Sequence, residues 1–218
     1  MSSSSSSLSY QLPNDKVCVT GASGYVATEL VKQLLEDGYN VNGTVRSTVD
    51  EKVVGHLKKF GKAFPGSTLT LLEADLYDVS SFTKALKGCK VLFHTAAPFH
   101  FDAAIDAKQE IMKPTVDSIF ELFEQAAKAG IHRVVLTSSV AGITSFLPDD
   151  KPKKILTEDD WNENIEEQNW IDNPVQTYMA SKSLQERAAI EAADKFNLKL
   201  SVINPGLVTG PVYSNRVS

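Results

Sequence analysis

Cysteine and long apolar runs are scarce in this sequence. The 218 residues include only two cysteines, Cys18 and Cys89, without C-x-x-C spacing, so neither a disulfide framework nor a thiol metal site is indicated. No apolar run approaches the ~18 residues that a membrane-spanning helix needs. The N-terminal residues do not show the basic and apolar stretches of a secretory signal. These absences predict a cytoplasmic protein with no membrane partner.

Basic charge is also in short supply. The 22 lysines and arginines are outnumbered by 27 aspartates and glutamates, which gives a net charge of −5. A broad cationic surface is therefore not expected, which argues against nucleic acid as a partner. The four histidines form no H-x-x-x-H spacing, so no metal is inferred.

What the chain does have is a regular alternation of strand and helix patterns. Helical periodicity follows Gly24, recurs over 79–86 and 175–196, and predicts one long helix after Pro114. The predicted strands cover 17–20, 41–45, 68–72, 91–95, 133–138 and 198–204. This alternation predicts an α/β fold, a Rossmann-type doubly wound parallel sheet with helices on both faces. Ligands of such sheets bind at the carboxyl ends of the strands.

Two segments depart from the alternation. Residues 1–13 contain a serine run and are predicted to be a disordered tail ahead of one domain over 14–218. An acidic insertion at 148–173 carries Trp161 and Trp170. The insertion is interpreted either as part of a substrate site or as a solvated loop anchored by its two rings.

The turn after the first predicted strand has the glycine spacing of a dinucleotide site. Gly21 permits a tight turn, Gly24 lets the backbone approach a pyrophosphate, and Ala27 allows the helix to pack closely on the strand. The N-terminus of the following helix offers unpaired N–H groups to phosphates. We therefore predict that this turn binds a dinucleotide.

The end of the second predicted strand favours NADP(H) over NAD(H). Sites for NAD place an acidic residue there to bind the ribose hydroxyls, whereas this strand ends in Val45-Arg46-Ser47. Arg46 can pair with a 2′-phosphate and stack on adenine, and Lys52 lies close enough in sequence to help.

Tyr178 and Lys182 form a Y-x-x-x-K pattern in a predicted helix. Residues four apart share one helix face, and an ammonium beside a phenol favours proton transfer near neutral pH. Reduction of a carbonyl also benefits from a hydroxyl that polarises it. Either Ser138 or Ser139, at the end of the fifth predicted strand, could supply this hydroxyl, and Ser139 is preferred.

Together these residues resemble the extended short-chain dehydrogenase/reductases, in particular the dihydroflavonol reductase and cinnamoyl-CoA reductase group. The resemblance covers about residues 14–212. It is carried by the loop over 17–27, Val45-Arg46-Ser47, the "ADL" segment 74–76, the segments 93–98 and 135–139, Tyr178 to Lys182, and the segment 204–211.

The resemblance implies roles for further residues. Asp75 is expected to face adenine, the segment 93–98 to line the nicotinamide side, and the segment 204–211 to pack on the nicotinamide. The implied catalytic residues are Ser139, Tyr178 and Lys182. The implied cofactor-binding residues are Gly21, Ser23, Gly24, Tyr25, Val26, Arg46, Lys52, Asp75, Leu76, Thr95, Ala96, Ala97, Thr137, Tyr178, Lys182, Pro205, Leu207 and Val208.

The expected activity is NADPH-dependent reduction of an aldehyde or ketone, acting on a small-molecule carbonyl or alcohol. Family members continue past the segment 204–211, so a truncated C-terminal substrate region is also expected. Two alternatives stay open. One is an NAD-dependent sugar-nucleotide epimerase or dehydratase, against which Arg46 argues. The other is a dinucleotide-binding protein with impaired catalysis.

Overall fold

Six parallel strands form the central sheet of the computed structural model, which describes residues 15–98, 106–144 and 155–214. The strands are β1 (Lys16–Val19), β2 (Asn40–Val45), β3 (Leu69–Glu73), β4 (Val91–His94), β5 (Arg133–Thr137) and β6 (Lys199–Ile203). Their order across the sheet is β3-β2-β1-β4-β5-β6. The expected Rossmann-type doubly wound sheet is thereby confirmed.

Helices connect the strands. They are α1 (Tyr25–Glu36), α2 (Glu51–Ala63), α3 (Thr83–Leu86), α4 (Ser118–Lys128) and α5 (Pro174–Lys195), with 3₁₀ turns at Val79–Phe82, Val140–Gly142 and Glu167–Asn169. A π-helix, Lys108–Asp117, runs directly into α4. No helix within the described ranges combines the length and apolarity needed to cross a bilayer.

The strand residues bury their side chains on alternate faces. Val17 and Val19 pack in one apolar layer with α1 and α2, whereas Cys18 between them packs in the opposite layer with α3, α4 and α5. The same alternation separates Val91 from Leu92. Because successive strand residues point to opposite faces, these short apolar strands form two cores and leave the carboxyl ends of the strands to carry polar groups.

Helix α2 and the start of the helix around Pro114 differ from the sequence expectations. No helix was expected at Glu51–Ala63, yet Asp50 begins α2 by accepting a hydrogen bond from the Lys52 N–H. The helix expected after Pro114 begins before it, as a π-helix that contains the proline. Proline has no N–H to give to the helix ladder, and wide π turns accommodate such interruptions.

The strand and tail predictions had mixed outcomes. The ends of the predicted strands differ from the observed ends by at most one residue. The tail predicted at 1–13 and the first part of the insertion, 148–154, lie outside the described residues.

Candidate active site

A tight turn joins β1 to α1 where the order of the strands reverses. Gly21 adopts a φ of +63°, and a Cβ at this position would lie 3.0 Å from Cα of Ala96. Glycine is therefore required both by the left-handed backbone and by the close approach of the chain after β4. The Gly21 N–H also donates to Oγ1 of Thr44 at 3.2 Å, which fixes the turn to the end of β2.

Thr20 fastens the ends of β1 and β4 to each other. Its Oγ1 accepts hydrogen bonds from the N–H groups of Thr95 at 3.1 Å and Ala96 at 3.0 Å, and the Thr95 hydroxyl donates to the Thr20 carbonyl oxygen. The two chain segments that flank the crevice are thus held in a fixed relation.

A cleft of about 540 Å³ opens at this reversal point. Many of the predicted cofactor-binding residues line it, namely Gly21, Ser23, Gly24, Tyr25, Arg46, Asp75, Leu76, Thr95, Ala96 and Ala97. Residues that the sequence analysis did not single out complete its walls, among them Thr44, Val53, Tyr77, Phe82 and Pro114. The motifs at the turn after β1 and after the strands β2, β3 and β4 therefore converge on one cavity.

The two ends of the cleft differ in chemistry. The turn end presents the N-terminus of α1, where Gly24 offers no side-chain cap to the first N–H groups, so these groups and the helix dipole favour an anion. The other end combines the exposed cation Arg46 with the apolar side chains of Val53 and Leu76. Tyr77 also lines the cleft, and its hydroxyl donates to the Glu110 carbonyl oxygen at 3.3 Å.

Tyr178 and Lys182 lie one turn apart on α5, and Lys182 Nζ lies 5.8 Å from the centroid of the Tyr178 ring. Tyr178 is half-buried, whereas Lys182 is 4% exposed and donates to Oε1 of Gln185 at 3.2 Å. Neither residue lines the 540 Å³ cleft. The expected neighbours on one helix face are indeed neighbours.

The buried end of Lys182 connects the pair to the cleft through β4. Burial lowers the pKa of Lys182 to about 8, and the carboxylate of Glu186 opposes that shift. Burial also lowers the pKa of His94 to about 3, with a further contribution from the nearby Lys182 charge. His94 immediately precedes Thr95, Ala96 and Ala97 of the cleft wall, so the charge of Lys182 acts on the strand that leads into that wall.

The two candidate serines occupy different environments. Ser138 is 5% exposed and its Oγ is buried, whereas Ser139 is half-buried and begins the 3₁₀ turn Val140–Gly142. The Ser139 Oγ accepts a hydrogen bond from the Ala141 N–H at 3.1 Å. A hydroxyl that accepts in this way keeps its proton for donation to another group.

The other predicted cofactor-binding residues lie outside the cleft lining. Val26, Leu207 and Val208 are 38%, 96% and 43% exposed, and Lys52 is exposed on α2. Thr137 ends β5, and Pro205 accepts a hydrogen bond from the Val140 N–H at 3.0 Å. Roles for these residues stay predictions.

The described part of the insertion, 155–173, is fastened to α5. Arg187 pairs with Glu163 at 3.0 Å and lies over the Trp161 ring, 4.7 Å from its centroid. Trp170 is 6% exposed and its carbonyl oxygen accepts from the Thr177 hydroxyl at 2.7 Å. The two rings anchor this segment, in agreement with one of the two interpretations of the sequence.

Three residues of the site escaped the sequence analysis as contributors. Thr20 and His94 belong to segments that the analysis quoted, but a polar residue at the end of a buried strand was the only signal. Tyr77 follows the "ADL" segment, and nothing local predicts its contact with Glu110.

The fold and the cleft define a Rossmann-type dinucleotide-binding protein class. Comparison with known families narrows the class, because residues 17–218 match the NAD dependent epimerase/dehydratase family. The chain belongs to this family.

Its relatives include plant reductases. The chain is 39% identical over 202 residues to "Cinnamoyl-CoA reductase 1" of Petunia hybrida, covering 93% of this chain and 57% of the relative. It is 36% identical over 203 residues to "Bifunctional dihydroflavonol 4-reductase/flavanone 4-reductase" of Pyrus communis, covering 91% and 55%. Among solved structures, Gre2 from Candida albicans in complex with NADPH has a TM-score of 0.77 and 38% identity, covering 90% of this chain and 59% of that one. The chain thus spans little more than half the length of these proteins.

Proposed function

We propose that this chain is an NADPH-dependent reductase of an aldehyde or ketone, in which Tyr178 donates the proton to the carbonyl oxygen. The observation that carries the proposal is the position of the buried Lys182 ammonium, 5.8 Å from the centroid of the Tyr178 ring on the same helix. The NADPH complex of a relative with the same fold supports the choice of cofactor. A small-molecule carbonyl in the cytoplasm is the proposed substrate and setting, since both cysteines are free and buried.

The residues of the cleft suit NADPH. The uncapped N–H groups at the start of α1 suit a pyrophosphate. Arg46 suits the 2′-phosphate, and Val53 and Leu76 offer apolar surface to adenine. When bound, NADPH supplies the hydride. The cationic Arg46 also disfavours the NAD-dependent epimerase alternative, because NAD sites place an acidic residue there.

The side chains of the chain itself supply the proton chemistry. Lys182 is mainly charged at pH 7, since its pKa lies near 8, and its ammonium stabilises the phenolate that forms when Tyr178 gives up its proton. The Ser139 hydroxyl donates to the same carbonyl oxygen and so stabilises the negative charge that develops on it. Ser139, Tyr178 and Lys182 are the proposed catalytic residues.

Replacement of Tyr178 by phenylalanine tests the proposal. Tyr178→Phe removes only the hydroxyl, so NADPH consumption with a panel of aldehydes and ketones should fall by about 10²–10⁴-fold, the usual contribution of a general acid. NADPH binding measured by calorimetry should persist.

Tyr39→Phe is the matched control. Tyr39 lies just before the amino end of β2, whereas the cleft lies at the carboxyl ends of the strands. This variant should therefore keep wild-type turnover. Full activity of Tyr178→Phe, or no heat on adding NADPH to the wild-type chain, would contradict the proposal.

A further inference from the structure

Glu186 is a buried carboxyl group that the proposed chemistry does not use. It lies on α5 one turn after Lys182 and is 8% exposed. A buried carboxylate is costly unless it is paired and hydrogen-bonded. The groups around it should therefore explain why it is there.

Hydrogen bonds attach Glu186 to the serine turn. Its Oε2 accepts from Nδ2 of Asn204 at 2.9 Å, and the same amide nitrogen donates to the Ser139 carbonyl oxygen at 3.2 Å. Asn204 follows β6 and Ser139 follows β5. The carboxylate thus joins α5 to the ends of two strands.

Gly142 makes room for this arrangement. A Cβ at Gly142 would lie 3.3 Å from the Ser138 Oγ, 3.4 Å from Glu186 Oε2 and 3.5 Å from the Lys182 backbone carbonyl carbon. The 3₁₀ turn therefore packs its backbone directly against the carboxylate and the Lys182 segment.

The charge of Glu186 also acts on Lys182. Burial lowers the pKa of this lysine, and Glu186 is the group that raises it again. The other titratable neighbours are Tyr178 on the same helix, whose ring lies 5.8 Å from Nζ, and His94 of β4, which burial keeps neutral.

Among the described residues that pack on α5, Glu186 is the one whose charge raises the pKa of Lys182. The turn Val140–Gly142 has no titratable side chain. The π-helix packs Met112 in a cluster with Ala180, and α4 packs apolar side chains in a cluster with Ala189 and Ala192. Glu186 is therefore the negative charge that faces Lys182 within the described residues.

We propose that Glu186 is a positioning residue of the candidate active site: its carboxylate lies one helical turn from the buried Lys182 as its opposite charge and, through Asn204, holds the Ser139 turn against the Tyr178–Lys182 helix. The catalytic meaning of this inference rests on the proposed function. The charge relation between Glu186 and Lys182 is a property of the unliganded chain.

The test is an NMR titration of the lysine side chains in the unliganded protein. The Lys182 signal is assigned by its loss in Lys182→Met. Glu186→Gln keeps the size of the side chain and an acceptor for Asn204 but removes the charge. The Lys182 titration midpoint should fall by about one pH unit, at the low end of the usual effect of a nearby opposite charge. In the active protein, the alkaline limb of kcat/KM should move to lower pH by the same amount.

Three further variants sharpen the test. Glu191→Gln removes the same charge from an exposed position on the same helix and should leave the Lys182 midpoint unchanged. Glu186→Asp keeps the charge, so its Lys182 titration midpoint should lie close to that of the wild type. Glu186→Ala should lower the midpoint as Glu186→Gln does, and it replaces that variant if the glutamine form does not fold.

The outcomes separate this inference from the proposed function. An unmoved Lys182 midpoint in a folded charge-removing variant overturns the role of Glu186, whether or not the wild type reduces a carbonyl. A wild type that reduces no carbonyl overturns the proposed reaction, while the NMR midpoint still decides the role of Glu186.

Discussion

The cleft at the turn after β1 and the Tyr178–Lys182 end of the candidate site are built by different means. The turn end relies on backbone, since Gly21 has a left-handed conformation and α1 offers uncapped N–H groups in an open cleft. The Tyr178–Lys182 end relies on buried polar side chains from α5, β4 and β5, with Lys182 and His94 4% and 1% exposed. The comparison suggests that the first end supplies affinity and the second end tunes proton affinities.

The largest effect that would sharpen this comparison is expected at Ser139. Ser139→Ala removes the hydroxyl proposed to polarise the carbonyl, so kcat should fall by about 10²–10³-fold, as for the loss of one oxyanion donor. NADPH affinity should change little, because the proposed partner of the hydroxyl is the substrate rather than the cofactor. Single-turnover kinetics and calorimetry measure the two quantities.

Ser138→Ala is the matched control. The Ser138 Oγ is buried, has no hydrogen-bond partner among the described residues and lies near the position that a Cβ of Gly142 would take. Its loss should therefore lower kcat by less than about 10-fold, which corresponds to about 1.4 kcal/mol. The opposite ranking of the two variants would transfer the polarising role to Ser138.

A smaller effect, on NADPH binding alone, is expected at Arg46 in the cleft. Arg46→Gln removes a charge-assisted contact of about 1.5–3 kcal/mol, so the Kd for NADPH should rise roughly 10–150-fold. The Kd for NADH should hardly change, and kcat with saturating NADPH should be preserved. Fluorescence titration with both cofactors measures the change in preference.

Lys52→Gln separates the two cations predicted for the 2′-phosphate. Lys52 is exposed on α2 and does not line the cleft, so its replacement should weaken NADPH binding less than Arg46→Gln does. Equal losses in the two variants would show that α2 contributes to this end of the site. A large loss of kcat in Arg46→Gln would contradict the assignment of cofactor affinity to the cleft and of catalysis to the Tyr178–Lys182 end.

The cleft was more predictable from sequence than the Tyr178–Lys182 end, because its signals are local. The spacing of Gly21 and Gly24 after a short apolar strand, and Arg46 at the end of the next strand, predict residues that do line one cleft. The sheet was predictable for the same reason, since each strand is a short apolar run. Helix α2 was missed because its thirteen residues include two glycines, which lower its helix propensity.

The buried end was predictable only in part. The spacing of Tyr178 and Lys182 predicts their proximity on α5, but the groups that other elements bring near this helix could not be predicted. His94 belongs to a strand 88 positions away from Lys182 (182 − 94), and Asn204 reaches Glu186 from the loop after β6. Neither contact could be predicted from a sequence spacing, because both arise from the order of strands in the sheet.

The last expected effect concerns stability rather than binding or turnover, and it tests whether the buried end is also the acid-sensitive one. His94 is neutral when folded, because burial lowers its pKa to about 3, whereas an unfolded histidine titrates near pH 6.5. The stabilisation is therefore complete above about pH 6.5 and is lost as the pH falls towards 3, by up to about 1.4 kcal/mol per pH unit for one proton. His94→Asn, which keeps an acceptor for the Thr20 hydroxyl, should flatten this pH dependence between pH 6.5 and 4.5 in urea unfolding.

His132→Asn is the control for this prediction, because His132 is exposed in the turn before β5 and its loss should leave the wild-type slope in place. The hydrogen bond between Thr20 Oγ1 and His94 Nδ1, 2.9 Å long, ties the imidazole to the residue that also fastens the cleft wall. Protonation of His94 would remove the acceptor at Nδ1 and place a second positive charge near Lys182. An unchanged slope in His94→Asn would mean that acid sensitivity arises elsewhere and that the buried end differs from the turn end in its chemistry alone.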